Sequence, residues 1–158
     1  MSLAVEATLL DVDLPAVPQS ASLARRAVLD ALSGIAVDRD AVGVVVSEAV
    51  TNAVVHAYRD RVEPGRVRVS ASLDDEGVEI GVADDGLGMK PRVDSPGIGL
   101  GVPLMADLAD HVEVCSGDPR GTRIAARFAL MGPAGPHGRP VARQVTGRAE
   151  RRAAALLI

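Results

Sequence analysis

Two segments of alternating residues, separated by an acidic turn, most strongly constrain how this chain can fold. Apolar residues occupy every second position in residues 66–73 and again in residues 78–82. Such alternation is typical of strands with one buried face, and the Asp-Asp-Glu-Gly sequence at 74–77 favours a tight connection between them. The sequence therefore predicts an antiparallel hairpin, which needs a second layer to cover its apolar face.

Helical patterns on both sides of this hairpin supply the second layer. The other predicted elements are a strand over 3–14, helices over 18–33, 38–58 and 100–109, and a second hairpin formed by 111–116 and 122–130. Together they predict an α/β (α+β) two-layer sandwich, in which about three helices cover one face of a mixed, mostly antiparallel sheet. In the first strand, Leu3, Val5, Ala7 and Leu9 share one parity and are expected on one face, and Ser20 or Ser22 can cap the first helix.

The composition excludes several classes of protein. The chain has 158 residues, of which 47% are hydrophobic, so it can bury a core and does not have a disordered composition. Its two aromatic residues, Tyr58 and Phe128, are too few for a protein that stacks single-stranded bases on rings. Its one lysine, Lys90, precedes a proline and therefore cannot belong to a Walker A phosphate loop.

Charge is distributed unevenly along the sequence. Residues 1–130 carry a formal charge of −8, whereas residues 131–158 contain five arginines and one glutamate. We expect a folded domain over 1–130, followed by a flexible Pro/Gly-rich basic tail over 131–158. The overall charge of −4 argues against direct nucleic-acid binding.

The sequence also lacks the features of a membrane or exported protein. It has no apolar run of 18 residues and no recognisable signal segment, so a cytoplasmic protein without a membrane partner is expected.

The first candidate site is a polar stripe on the second predicted helix. Glu48, Asn52 and His56 are four residues apart, so they lie on one helical face. An ordinary solvent-exposed face is the alternative, but such a face usually carries longer charged side chains. A carboxylate can act as a general base, and an asparagine oxygen is a suitable ligand for Mg²⁺.

The second candidate site begins where the strand over 78–84 ends. Asp84 shares the parity of the apolar residues in this strand and is therefore expected at the core face. A buried carboxylate needs a partner, and the exocyclic amine of adenine would be one. Gly86 and Gly88 allow a ligand to approach the backbone closely. The alternative is a glycine-rich turn in which Asp84 is only a turn-forming residue.

The third candidate site is the sequence Gly-Ile-Gly-Leu-Gly at 97–101, which opens the short predicted helix. Free backbone N–H groups at a helix N-terminus bind phosphate groups. The segment lacks both the preceding strand and the spacing of the dinucleotide-binding fingerprint, so a Rossmann-type site is excluded.

In this order, the three segments resemble the Bergerat ATP-binding fold of the GHKL superfamily, and most closely its anti-sigma factor serine/threonine kinases. Residues 47–58 resemble the N box of that family, and residues 82–89 resemble its G1 box. Residues 97–101 are similar to the G2 box, and Gly121-Thr122 to the closing Gly-Thr pair. The resemblance covers about residues 3–130.

The resemblance implies a role for each matching residue. Glu48 would be the general base on the acceptor serine, Asn52 would hold Mg²⁺, and Asp84 would bind adenine with support from Thr122. His56 has a structural role as its alternative. The residues that the resemblance assigns to ATP binding are Asn52, Ala53, His56, Asp84, Gly86, Gly88, Met89, Arg92, Gly97, Ile98, Gly99, Leu100, Gly101 and Thr122.

The resemblance also implies an activity and partners. The activity is that of an ATP- and Mg²⁺-dependent kinase. The kinase would bind a sigma factor, phosphorylate a serine of a STAS-type anti-anti-sigma protein and form a homodimer.

The segment between the G1-like and G2-like boxes departs from the family pattern. Only eight residues separate Gly88 from Gly97, whereas the nucleotide lid of the family is usually longer and often supplies a basic residue. Lys90 or Arg92 could supply it here. The alternative is a nucleotide-dependent binding module with little or no kinase activity; half of a histidine kinase system is disfavoured, because no helical hairpin with an acceptor histidine precedes the domain.

Overall fold

A computed structural model describes residues 6–57, 62–86, 101–116 and 120–132 of the protein, and these contain five strands and three α-helices. In chain order the elements are β1 (Ala7–Pro15), α1 (Gln19–Ala31), α2 (Arg39–Asn52), a π-helix (Ala53–Ala57), β2 (Arg66–Leu73), β3 (Gly77–Asp84), α3 (Gly101–Leu108), β4 (His111–Ser116) and β5 (Thr122–Ala129). The beginning of the first predicted strand and most of the predicted tail, residues 133–158, lie outside the described residues.

The strands form one sheet in the order β1-β2-β3-β5-β4. Both predicted hairpins, β2–β3 and β4–β5, are confirmed, and the Asp74 N–H donates to the Gly77 carbonyl at 3.0 Å in the β2–β3 turn. All pairs between described strands are antiparallel, so the mixed character expected for the sheet is not found there. The reason is that α1 and α2 form an antiparallel helix pair, which returns the chain to the end of the sheet that it left. At that end the Ala16 N–H donates to the Gly65 carbonyl at 2.8 Å.

The core lies between one face of this sheet and the helices. The alternation predicted for β2 and β3 is confirmed, and β5 alternates in the same way, since the inward-facing residues of these strands are buried: Val67, Val69, Ala71, Val78, Ile80, Val82, Ile124, Ala126 and Phe128. They pack against small and β-branched residues of the helices, such as Val28, Val45 and Val50. Burying an aliphatic side chain of this size contributes about 1.5–3 kcal/mol, which offsets the weak helix propensity of the valines in α2.

Strand β1 differs from its prediction in the face that it presents to the core. The register with β2 shifts between Thr8 and Leu10, as in a β-bulge. Because a shift of one residue exchanges the two faces, Leu10, Val12 and Leu14 pack against the core after the bulge, while Ala7 is exposed. The odd-numbered pattern is confirmed for Leu9, which also packs against the core at the bulge, but it does not continue through the rest of the strand.

The helix ends also depart from the predicted pattern. Neither predicted serine caps α1, because Pro18 occupies the N-cap position and the buried Ser20 hydroxyl donates instead to the Pro15 carbonyl at 2.6 Å. At α2, the Asp38 carboxylate accepts from the Ala41 N–H at 3.0 Å, which is the arrangement of an N-cap. The helix predicted over 38–58 ends as an α-helix at Asn52 and continues as the π-helix.

Oppositely charged side chains pair across the strands on the face of the sheet that the helices leave open. Arg68 pairs with Asp11, and one guanidinium nitrogen of Arg127 donates to both carboxylate oxygens of Asp74 at 2.9 and 2.8 Å. The Arg127 bond is the main cause that lowers the pKa of Asp74 below its ordinary 3.8, followed by a bond from the Glu76 N–H. The pair joins the β2–β3 turn to β5.

The Asp74–Arg127 pair is expected to stabilise the fold at neutral pH and to contribute less in acid. Because the pKa of Asp74 is lower in the folded chain than in the unfolded one, its contribution is present above about pH 3.8 and is lost as the pH falls through the folded pKa. Asp74→Asn is therefore expected to lower the urea midpoint at neutral pH and to have a smaller effect in acid. Asp75→Asn, on the exposed part of the same turn, is the control. If Asp74→Asn lowered the urea midpoint equally at neutral and at acid pH, the charged pair could not be the cause of the stabilisation.

Candidate functional site

Three of the predicted segments meet at one end of the sheet. Asp84 is the last residue of β3 and Thr122 the first of β5, and these strands are antiparallel neighbours, so both residues lie at the same end. Helix α1 leaves this end and α2 returns to it, and the π-helix that follows Asn52 packs beside β3. Helix α3 begins at Gly101 against the end of α2.

Asp84 is a half-buried carboxylate held by backbone donors. Its Oδ1 accepts from the Gly86 N–H at 3.0 Å, and the Thr122 N–H also donates to this side chain. Burial raises the pKa of Asp84 above its ordinary 3.8 and outweighs the lowering effect of these two bonds, while the adjacent charge of Asp85 adds to the rise. A carboxylate that is desolvated in this way gains more from a further hydrogen-bond donor than a solvated one would.

Gly121 brings the start of β5 into contact with this carboxylate. Its φ is +97°, and a Cβ at this position would lie 1.9 Å from the Asp84 carbonyl oxygen and 3.2 Å from its Oδ1. Only glycine therefore allows the chain to pass so close to Asp84. From sequence, Gly121 is expected only as a member of the Gly-Thr pair and not among the site residues. A glycine directly before the first residue of a strand is the signal that points to it.

The polar face of α2 lies against the start of α3. A Cβ on Gly101 would lie 3.0 Å from the Asn52 Nδ2 atom, 3.3 Å from its Oδ1 atom and 3.4 Å from the Glu48 Oε2 atom. Glu48 and Asn52 are both half-buried, and Gly101 is buried. The Ser47 hydroxyl donates to the Gly43 carbonyl within α2 at 2.9 Å, so it is committed to the helix. Glu48 and Asn52 therefore present a carboxylate and a carboxamide beside the N-terminus of α3.

The π-helix begins directly after Asn52. Ala53, its first residue, is buried, and the backbone of His56 lies within it. Single π-turns inside helices are often found at functional sites. The side chain of His56 is not among those that the structure describes, so its predicted role stays a prediction.

The structure places seven of the predicted site residues at this end of the sheet: Glu48, Asn52, Ala53, Asp84, Gly86, Gly101 and Thr122. Apart from His56, the other predicted residues lie outside the described parts of the chain: Gly88, Met89, Arg92, Gly97, Ile98, Gly99 and Leu100. The described residues thus comprise the two carboxylates, the carboxamide and the Gly-Thr pair, and their roles stay predictions.

Sequence comparison identifies the family that this arrangement represents. A family model described as "Histidine kinase-like ATPase domain" matches residues 14–128, which contain all of the segments above. The chain belongs to this family. The α/β fold expected from the GHKL resemblance is thereby confirmed, with a five-stranded antiparallel sheet and three α-helices in the described residues.

Curated relatives share this domain. The chain is 36% identical over 93 residues to proteins named anti-sigma F factor from Clostridium beijerinckii and Bacillus subtilis, and it spans 64% and 62% of their respective lengths. These alignments cover 52% and 51% of this chain. The anti-sigma F factor of Clostridium acetobutylicum is 35% identical over 105 residues, which cover 58% of this chain and 72% of that protein.

A solved structure is also similar to part of the chain. It is the histidine kinase domain of a blue-light activated histidine kinase from Erythrobacter litoralis, with a TM-score of 0.49 and 31% sequence identity. The match covers 58% of this chain and 44% of that one. Within the described residues of the ATPase domain, no helix is both long enough and apolar enough to cross a membrane.

Proposed function

We propose that this protein is an ATP- and Mg²⁺-dependent anti-sigma factor, which binds a sigma factor and phosphorylates a serine of a STAS-type anti-anti-sigma protein. The observation that carries the proposal is the meeting of Glu48 and Asn52 with Gly101 at the end of the sheet where Asp84 contacts Gly121. Membership of the ATPase family supports the nucleotide, and the relatives named anti-sigma F factor support the sigma factor.

Asp84 is suited to select adenine. The 6-amino group of adenine is a hydrogen-bond donor, and the Asp84 carboxylate is a desolvated acceptor whose burial raises its pKa. The backbone bonds from Gly86 and Thr122 fix this carboxylate, so little side-chain entropy is lost when a ligand binds. The buried Thr122 completes this part of the site.

Asn52 and the start of α3 are suited to the phosphate groups and Mg²⁺. The Asn52 side chain lies against Gly101, where the first N–H groups of α3 lack intrahelical acceptors. A carboxamide oxygen is a suitable ligand for Mg²⁺, which binds few protein groups when phosphate oxygens and water supply the others. When bound, Mg-ATP supplies the phosphoryl group; Asn52 orients it.

Glu48 is suited to act as the general base. It lies one helical turn before Asn52, and its carboxylate is on the same side of α2, next to Gly101. A carboxylate in this place can accept the proton of a serine hydroxyl as the oxygen attacks the terminal phosphate. A protein that only binds nucleotide has no use for such a base, so Glu48 favours the kinase over a pure binding module.

A homodimer in the cytoplasm is part of the same proposal. Strand β1 is at the edge of the sheet, so the N–H and C=O groups of its outer side have no strand next to them among the described residues. An exposed edge of this kind can pair with the same strand of a second copy.

The adenine contact can be tested with Asp84→Asn. Asparagine keeps the Oδ1 atom that accepts the Gly86 N–H and has the same size, so the fold is expected to be retained. The charge-assisted bond to the adenine amine is lost, which corresponds to a roughly 10- to 100-fold weaker ATP affinity in calorimetry. Because the carboxylate is desolvated in the folded chain, its neutralisation should not lower the thermal midpoint. An unchanged ATP affinity would remove Asp84 from the adenine site.

Transfer of labelled phosphate from ATP to a STAS-type partner tests the kinase activity directly. We expect labelling of the wild-type partner and none of a partner whose acceptor serine is replaced by alanine. The short connection between Gly88 and Gly97 makes a binding module the second candidate, in which sigma factor and ATP bind but no label is transferred. That result would refute the kinase while leaving the anti-sigma factor role in place.

A further inference from the structure

Charge is concentrated at the end of the domain opposite the candidate site. We call this end the acidic pole and define it as residues 30–40, 73–78, 107–111 and 129–132. These ranges join one another across the structure: the Met131 N–H donates to the Ala36 carbonyl at 2.8 Å, and the Ala129 N–H donates to the Asp110 Oδ2 at 2.7 Å. The pole thus contains the α1–α2 connection, the β2–β3 turn, the start of β4 and the end of β5.

Carboxylates greatly outnumber cations at the acidic pole. It contains eight carboxylates: Asp30, Asp38, Asp40, Asp74, Asp75, Glu76, Asp107 and Asp110. Two arginines lie in or next to it. Arg39 donates to the Leu29 and Leu32 carbonyls at 2.8 and 3.2 Å, and Arg127 pairs with Asp74. Both guanidinium groups are therefore already engaged with the domain.

Three of these carboxylates are both exposed and outside the structural bonds of the pole. Asp38 caps α2, Asp74 and Glu76 pair with Arg127, Asp110 accepts from the Ala129 N–H, and Asp107 also has a partner within the domain. In contrast, the residues Asp30, Asp40 and Asp75 are exposed to solvent. They can be substituted without removing a cap or a contact between strands.

The chain leaves its described part inside the acidic pole. Leu130 and Met131 are exposed to 40% and 56%, although both are large and apolar, and they lie next to the α1–α2 connection. The 26 residues that follow, 133–158, contain five arginines and one glutamate and end in the apolar sequence Ala-Ala-Ala-Leu-Leu-Ile. A basic segment with an apolar end is therefore tethered to an acidic surface with an exposed apolar pair.

We propose that residues 133–158 bind the acidic pole of their own domain. Arginine–carboxylate pairs at a surface contribute about 0.2–1 kcal/mol each, which would be weak between separate molecules. A tether of this length raises the effective concentration into the millimolar range, so several such pairs suffice. The apolar end of the segment covers Leu130 and Met131.

The end of the domain that contains the candidate site, which we call the site end, is less favourable for binding this segment. It carries the exposed arginines Arg66, Arg120 and Arg123, one of which pairs with Glu79, so acidic charge is less concentrated there than at the pole. Twenty-six residues at about 3.3–3.6 Å each could span the domain, so charge and not length selects the pole. The segment therefore does not compete with a ligand at the site end.

A spin label placed in the segment tests this inference in the full chain. Cys115 is the single cysteine and is exposed, so Cys115→Ser with Ala154→Cys gives one labelled position. We expect broadening of the backbone amide NMR signals of the acidic pole and little at Asp84 or Thr122. The broadening should disappear in about 1 M NaCl, where the Debye length is about 3 Å. Broadening that is uniform, or strongest at the site end, would overturn the proposal.

Two matched sets of substitutions identify the surface. Asp30→Asn, Asp40→Asn and Asp75→Asn together should abolish the broadening at the pole. Asp13→Asn, Glu63→Gln and Glu113→Gln remove the same charge from exposed positions elsewhere and should leave it unchanged. If both sets had the same effect, only the net charge and not the pole would matter, and the proposal would fail.

Two further samples separate the remaining possibilities. Replacing the five tail arginines with lysine should keep the broadening at the pole, whereas replacing them with glutamine should remove it.

A mixed sample tests whether the segment binds its own chain. When isotope-labelled chains that lack the spin label are mixed with unlabelled chains that carry it, we expect no broadening of the amide signals. Broadening in the mixture would mean that the segment binds a second copy, which would overturn binding within one chain. None of these results depends on ATP, a sigma factor or kinase activity.

Discussion

Replacing Glu48 with glutamine is expected to lower phosphoryl transfer to the partner serine by about 10²–10⁴-fold, which is the usual contribution of a general base. Glutamine keeps the size of the side chain and can occupy the same half-buried place beside Gly101. It cannot accept a proton, so only the step that requires one is affected. The affinity for ATP is expected to stay unchanged, because the groups proposed to bind ATP remain.

Single-turnover transfer of labelled phosphate, together with calorimetry of ATP binding, measures the two quantities separately. Ser47→Ala is a suitable control, since the Ser47 hydroxyl donates to the Gly43 carbonyl within α2 and is not needed by the proposed reaction. Transfer by Glu48→Gln at the wild-type rate would exclude Glu48 as the base. Loss of ATP binding in the same variant would instead assign Glu48 a binding role.

Gly121→Ala is expected to destabilise the fold and to disrupt the adenine contact at the same time. The backbone has a φ of +97°, a conformation that costs an L-residue about 1–2 kcal/mol. In addition, the new Cβ would lie 1.9 Å from the Asp84 carbonyl oxygen, so β5 or the end of β3 must move. Overpacking of this kind costs about 1–3 kcal/mol. The sum predicts a loss of about 2–5 kcal/mol in the free energy of unfolding, together with weaker ATP binding.

Gly34→Ala separates the two causes. Gly34 also has a positive φ, of +79°, but no atom lies within 4 Å of the position that a Cβ would take. This variant should therefore lose only the backbone contribution, as measured by urea unfolding, and should bind ATP like the wild type. If the two alanine variants were equally stable and bound ATP equally well, the close contact between Gly121 and Asp84 would have no energetic importance.

Local patterns were sufficient to predict most of the elements. The alternation around the turn at 74–77 predicts β2 and β3 and which of their residues face the core. The same parity places Asp84 on the core side of β3, at the end of the sheet where the candidate site lies. The family resemblance adds which residues belong together, and the family match over residues 14–128 confirms the fold that it implies. The roles of the individual site residues remain to be tested by the variants above.

Features that depend on contacts distant in sequence could not be predicted. The bulge between Thr8 and Leu10 is set by the pairing of β1 with β2, so the odd-numbered repeat that includes Leu9 does not continue through the rest of β1. The Ser20 hydroxyl bonds to Pro15 because the chain turns there, although a serine near a helix start favours a cap. The importance of Gly121 follows from the distance between β3 and β5, which no local pattern contains.

The antiparallel sheet also has a consequence for the order in which the chain folds. Strands β2 and β3 are joined by a short turn, whereas β1 must pair with β2 across the whole helical pair, for instance Pro15 with Arg66. Closing the longer loop has the larger entropic cost, so the β2–β3 hairpin is expected to form early and β1 to add late. A strand that joins last at an edge is also the one most easily released, so β1 is expected to open before the rest of the sheet.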